Sequence, residues 1–199
     1  MKVLLFLLIT LFSFSPPKPN VGCLEMDIII LVDYSASVNG HEQFIADALD
    51  AFVYRFDLSE NGIKISIALF NGVVYELSHL TTDKDALNYG INIIRSGNPY
   101  GNTNMVYALL NANTEIQNNG RKDVRKMIIM ISDGMPQNIH YTLGITRQIK
   151  VENTDLQVCG IYIPSEGSNE NTIIMMSDLY VSSSYGILVQ TLEELDICF

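Results

Sequence analysis

Two stretches of this chain, Ile28-Ile29-Ile30-Leu31-Val32 and Met127-Ile128-Ile129-Met130-Ile131, are unbroken apolar runs of strand length. A half-exposed strand alternates apolar and polar residues. An unbroken run marks a strand buried on both faces, as in parallel sheets covered by helices. Helical patterns fill the gaps between such runs. His41 to Phe56 places Phe44, Ile45, Ala48, Leu49, Phe52 and Phe56 on one face, the stripe of an amphipathic helix. Further helices are predicted over Asp83 to Ile94, Thr103 to Gln117, Tyr141 to Val151, Asn171 to Leu179 and Leu188 to Ile197. Strands are predicted over Met26 to Val32, Ile63 to Phe70, Val73 to Leu77, Lys126 to Ser132, Leu156 to Ile163 and Val181 to Tyr185. Asn71-Gly72 between two strand-forming runs signals a hairpin, the single antiparallel connection. The expected fold is α/β: a doubly wound three-layer sandwich with a mostly parallel central sheet and one antiparallel edge strand.

In such sheets ligands sit beyond the carboxyl ends of the strands, near the reversal of strand order. Both unbroken runs end there in acidic turns: Asp33-Tyr34-Ser35-Ala36-Ser37 after the first and Ser132-Asp133-Gly134 after the second. A carboxylate and two hydroxyls spaced two apart are hard oxygen ligands. Alone, the pattern also fits a strand-end turn in which Ser37 or Asn39 caps the next helix. The loop Gly101-Asn102-Thr103-Asn104 has a similar plain reading, with Thr103 as a helix cap, and Asp133-Gly134 reads equally as a turn.

The order of these three loops, and their places at strand and helix ends, resembles the metal-ion-dependent adhesion site (MIDAS) of the von Willebrand factor type A (vWA) domain family. The stretch from Asn119 through Lys126 to Gly134 and the ending Leu192-Glu193-Glu194-Leu195 fit as well. The resemblance spans nearly all of the chain after its apolar start. It implies a Rossmann-like fold with metal ligands Asp33, Ser35, Ser37, Thr103 and Asp133, the hydroxyls bound directly and the carboxylates largely through water. Tyr34 and Ala36 stand where extracellular members commonly carry glycine; neither supplies a ligand side chain. An oxygen-only set suits Mg²⁺, or Mn²⁺ or Ca²⁺, rather than zinc. With few directly bound anions the ion stays electrophilic, so a partner carboxylate can complete its coordination. The function implied is a secreted, metal-dependent protein-binding or adhesion module, not an enzyme. Its partner would be an extracellular protein, collagen-like or of another matrix type. The alternatives are a structural extracellular-matrix vWA protein that does not use the metal, and a metal-assisted hydrolase built on Asp33 and Ser35.

Composition limits the remaining classes. At 199 residues, 48% hydrophobic, the chain can bury one substantial core. Its net charge of −10 argues against nucleic acid, which needs clustered Lys and Arg. The nearest such cluster, Arg121-Lys122 to Arg125-Lys126, is expected to be a solvated loop and strand edge. His41, His79 and His140 have no metal-ligand spacing, and no nucleophile elbow or phosphate loop is present. Met1-Lys2 and the apolar run Val3 to Phe14, ended by Pro16-Pro17, have the build of a secretory signal peptide. This gives a leader over 1–22, no stable membrane insertion, and a single domain over 23–199. A lipoprotein cleavage at Gly22-Cys23 is the competing reading. In a secreted chain the placement of Cys23 and Cys198 suggests a disulfide joining the two ends of the domain. In members of the vWA family whose last helix slides, that motion is coupled to metal-site affinity; the resemblance then implies that such a bridge would restrict sliding and leave affinity unswitched. Cys159 reads as a buried, unpaired core residue.

Overall fold

In the computed structural model, residues 25–197 are described. Six strands form one sheet in the order β3-β2-β1-β4-β5-β6. They are β1 (Met26–Asp33), β2 (Ile63–Phe70), β3 (Val74–Thr81), β4 (Arg125–Ser132), β5 (Leu156–Tyr162) and β6 (Leu179–Ser182). All neighbours pair in parallel except β2 and β3, so the antiparallel strand lies at an edge. The helices are α1 (Glu42–Tyr54), α2 (Lys84–Ser96), α3 (Met105–Asn119), α4 (Ile139–Glu152), α5 (Glu170–Met176) and α6 (Leu188–Glu194). The expected doubly wound sandwich is the fold observed.

The unbroken apolar runs are buried on both faces for a simple reason: each face has its own core. Ile28, Ile30 and Val32 of β1 and Met127, Ile129 and Ile131 of β4 pack with α1, α2 and α6 residues such as Phe52, Leu87 and Leu192. Ile29, Leu31, Ile128 and Met130 point the other way, onto Leu109, Ile145 and Ile173 of α3, α4 and α5. Each fully buried side chain of this size contributes about 1.5–3 kcal/mol. Cys159 is a free thiol in the first core, its pKa pushed up to about 12 by burial.

The basic segment after α3 departs from expectation. Arg121 is an anchor at the amino end of β1 rather than a solvated charge. Its Nε donates to Oδ1 of the fully buried Asp27 at 2.8 Å, and its terminal nitrogens donate to the carbonyls of Met26, Glu60 and Gly62. Lys126 is also buried, its Nζ donating to the Val124 carbonyl.

Several boundaries differ for local reasons. The Asn71-Gly72 connection spans three residues, because Phe70 pairs with Val74 and the Asn71 side chain accepts from the Val73 amide. Strand β3 runs on to Thr81, past the expected end at Leu77. The segment before the last helix is a short strand ending at Ser182, followed by a 3₁₀ turn over Tyr185–Ile187. The expected leader and the Cys23–Cys198 pair lie outside the described residues. Among the described residues no helix is long and apolar enough to cross a membrane.

Candidate metal centre

The sheet reverses order between β1 and β4, and the register sets their carboxyl ends side by side. Val32 pairs with Ile131, so Asp33 falls level with Ser132. Ser132 Oγ donates to Asp33 Oδ2 at 2.6 Å across the two strands. The Ser35 amide donates to Asp33 Oδ1 at 3.0 Å, closing the turn that carries the hydroxyls. Within that turn Ser35 Oγ and Ser37 Oγ are 3.1 Å apart, so both hydroxyls share one spot.

Asp133 is held in the same manner. Its Oδ1 accepts from the Met135 amide at 3.2 Å, and its Oδ2 accepts from Ser165 Oγ at 2.7 Å. Gly134, next in the chain, has φ +76°, and a Cβ there would run into the Asn169 carbonyl. Only glycine lets the β5–α5 loop close over this segment, where the Asn169 amide donates to the Asp133 carbonyl at 3.0 Å.

The third loop is stitched to the first. The Ala36 amide donates to the Gly101 carbonyl, and the Tyr100 amide to the Tyr34 carbonyl. Thr103 is buried but does not cap α3: the cap is Asn104, whose side chain accepts from the Tyr107 amide at 3.2 Å. Nor does Ser37 or Asn39 cap α1, whose first residue is preceded by His41. The plain readings of these hydroxyls as caps therefore fail. The structure brings the Asp33, Thr103 and Asp133 loops together at one end of the sheet, all five named residues among them.

Electrostatics mark the centre. Burial is the main cause that lifts the Asp33 carboxyl from 3.8 to about 6; the nearby charge of Asp133 adds to it, and the hydrogen bonds from Ser132 and Ser35 oppose it. Tyr185, on the 3₁₀ turn before α6, stacks on His41 with ring centroids 3.9 Å apart. Its phenol is pushed up by burial first, then by Asp33, Asp133 and Glu42, which places it within the field of the acidic pair. Two further residues escaped the sequence reading as site components. Ser132 had a signal, since it adjoins Asp133 in a Ser-Asp-Gly turn. Ser165 had none, since its loop reaches Asp133 only through the fold. Tyr34 sends its hydroxyl 2.9 Å to the Ile94 carbonyl at the end of α2.

The oxygens fit a hard divalent cation. The chain's own donors engage both carboxylates, while Ser35, Ser37 and buried Thr103 offer neutral hydroxyl oxygens on the same converging loops, and such ligands suit Mg²⁺, Mn²⁺ or Ca²⁺. An ion there would also relieve the desolvation of Asp33.

The von Willebrand factor type A domain model matches residues 27–187. The chain is 30% identical over 146 residues to the thrombospondin-related anonymous protein of Plasmodium berghei (strain Anka), covering 69% of this chain and 24% of that protein. It is 28% identical over 171 residues to sporozoite surface protein 2 of Plasmodium yoelii yoelii, covering 81% and 20% respectively. The chain therefore spans about a quarter or less of the length of these relatives. Among solved structures, the manganese-loaded Plasmodium vivax TRAP protein aligns with a TM-score of 0.69 at 21% identity, over 84% of this chain and 72% of that one. Proximal thread matrix protein 1 from the mussel byssus aligns with a TM-score of 0.73 at 20% identity, over 86% and 47%. The family model covers most of the chain, the likenesses to solved structures share its fold, and the chain belongs to the von Willebrand factor type A domain family.

Proposed function

We propose that this domain is an extracellular protein-binding module that works through a divalent cation. Ser35, Ser37 and Thr103 hold the ion through their hydroxyls, and Asp33 and Asp133 act through bound water. The partner supplies a carboxylate to the open coordination position. The observation that carries this reading is the hydrogen bonding of the two aspartates. All four of their carboxylate oxygens accept bonds from the chain's own donors, which favours contact with the ion through water and leaves it short of directly bound negative charge. Such an ion attracts an external carboxylate, and its value lies in bridging two proteins rather than in activating water.

The comparisons support the adhesion class. One similar structure is of a manganese-loaded TRAP protein, and another is of a byssal matrix protein with a zinc-occupied MIDAS. Secretion through a leader over 1–22, and a Cys23–Cys198 bridge joining the ends of a single domain over 23–199, belong to the same proposal. The deciding experiment measures binding to immobilised extracellular-matrix proteins, collagens included, with Mg²⁺ or Mn²⁺ and then with EDTA. Binding lost on chelation and in Asp133→Ala supports the metal bridge. Binding that survives both overturns it in favour of a structural matrix role. Hydrolytic turnover of a substrate without a protein partner would overturn it in favour of an enzyme.

A further inference from the structure

A second set of ligand-type side chains lies outside the loops at the carboxyl end of the sheet, on the edge strand. Glu76 and His79 are three residues apart in β3, and in a regular strand an odd spacing puts side chains on opposite faces. Here the register breaks twice: Ala68 of β2 pairs with Glu76 while Ile67 pairs with Ser78, and a second shift separates that pair from Ile65, which pairs with Thr81. One step along β2 thus matches two along β3, and the extra residue reverses the alternation beyond it, as a β-bulge does. His79 is thereby turned to the same face as Glu76, toward α3. On α3 the stripe Asn111, Glu115, Asn119 meets them at four-residue spacing. His79 Nδ1 lies 2.9 Å from Glu115 Oε2, and one ligand atom from each of Glu76, His79 and Glu115 falls within 4.8 Å of the others.

The carboxylates are oriented before any ion arrives. Glu115, 6% exposed, accepts from the Leu80 amide at 2.7 Å and from Asn119 Nδ2 at 2.8 Å. Glu76 accepts from Asn111 Nδ2 at 2.6 Å. Donors behind the ligands are what a metal site requires to hold its geometry. Both exposed members, Glu76 and His79, leave the centre open to solvent.

We infer that Glu76, His79 and Glu115 form a second divalent-metal site, of the zinc class, that straps the edge strand β3 to α3. The donor set separates it from the loop centre. One imidazole nitrogen with two carboxylates suits Zn²⁺, Co²⁺ or Ni²⁺, whereas an all-oxygen centre suits Mg²⁺. Neutral His79 offers the Nδ1 lone pair to the ion. Where Nδ1 carries a proton toward Glu115, that proton leaves to solvent as the metal–nitrogen bond forms, and water fills the remaining positions. The strap would fix a strand that lies at the edge of the sheet among the described residues.

Cobalt(II) is the probe, titrated into the purified protein held in saturating Mg²⁺ and followed by visible absorption and calorimetry. One saturable equivalent with imidazole-type absorption is expected, unchanged in Asp133→Ala and weakened by about tenfold or more in His79→Ala and in Glu76→Gln. Both substitutions lie at exposed positions, so the fold is retained; unchanged circular dichroism checks it. Zn²⁺ should raise the thermal midpoint of the parent and of Asp133→Ala but not of His79→Ala. No saturable cobalt uptake in Mg²⁺, uptake insensitive to His79→Ala, or uptake abolished by Asp133→Ala would each overturn the inference. It does not depend on the function proposed for the loop centre.

Discussion

Ser132→Ala removes a single hydroxyl from the metal face and should be felt twice. Ser132 Oγ donates to Asp33 Oδ2 at 2.6 Å and accepts from the Gly134 amide at 3.1 Å. Asp33 is 1% exposed, so no water replaces the lost donor freely. A hydrogen bond to a buried charge contributes about 1.5–3 kcal/mol, and that is the expected loss of stability at pH 7.5 without metal. The pH dependence gives a second reading. Burial raises Asp33 from 3.8 to about 6. A group raised on folding contributes stability that is fully present below its unfolded pKa and lost as pH rises through the folded one. The metal-free domain therefore loses about 2 kcal/mol from this carboxyl between pH 4 and pH 7. Without Ser132 the folded pKa rises further, so the cost of the substitution should grow with pH across that window. Mg²⁺ affinity should fall about 10- to 100-fold, as for other residues that orient ligands. Urea denaturation in EDTA from pH 4 to 8, with Mg²⁺ titration calorimetry at pH 7.5, measures both. An unchanged denaturation midpoint with a dissociation constant within about twofold of the parent would refute the reasoning.

Two other perturbations follow from named contacts. Arg121→Met leaves Asp27 buried without its guanidinium partner, the backbone amide of residue 121 still donating to it, at a cost of about 3–5 kcal/mol. In urea denaturation the double change with Asp27→Leu should recover much of that loss, and no recovery would show that the arginine acts elsewhere. His79 should titrate above its ordinary 6.5, through its hydrogen bond to Glu115 first and their charge attraction second. What that pair contributes is complete below 6.5 and fades as pH rises through the raised value. Without metal, a proton NMR titration of His79 should show the raised pKa, and Glu115→Gln should bring it back toward 6.5.

The parts of this molecule that were legible in the sequence are those fixed by burial on two faces. The runs ending at Val32 and Ile131 announced central parallel strands because no polar residue interrupts them, and Asp33 and Asp133 followed as residues at their carboxyl ends. Edge elements were harder to read. The polar side chains of β3 hide its alternation and its bulge reverses it, so the strand seemed to stop at Leu77. Arg121 looked like part of a solvated run because its partner, Asp27, is 94 residues away in the chain. Ser165 reaches Asp133 across 32 residues for the same reason. The five candidate ligands are legible because their loops are local, whereas the donors that hold them come from the whole sheet.

That division bears on how the centre can act. A site assembled by its ion would leave its loops loose beforehand, but here backbone bonds already join them: Ala36 to Gly101 at 3.1 Å, Asn104 to Asn71 at 2.8 Å, Gln137 to Thr103 at 3.2 Å and Asn169 to Asp133 at 3.0 Å. Each of these amides and carbonyls finds its partner within the chain itself. The ordering cost is therefore met by folding, and an ion meets a centre already shaped. The far end of the domain is tied as firmly. Arg55, lying over Phe52 and Phe56 of the α1 segment, donates to the carbonyls of Leu192 and Leu195 at the end of α6, the latter at 2.7 Å. These are charge-assisted bonds to carbonyls that a helix end leaves without partners. Displacing α6 along α1 would break both together. Whatever joins the chain's ends, a displacement of α6 along α1 is therefore opposed within the described residues by these two bonds.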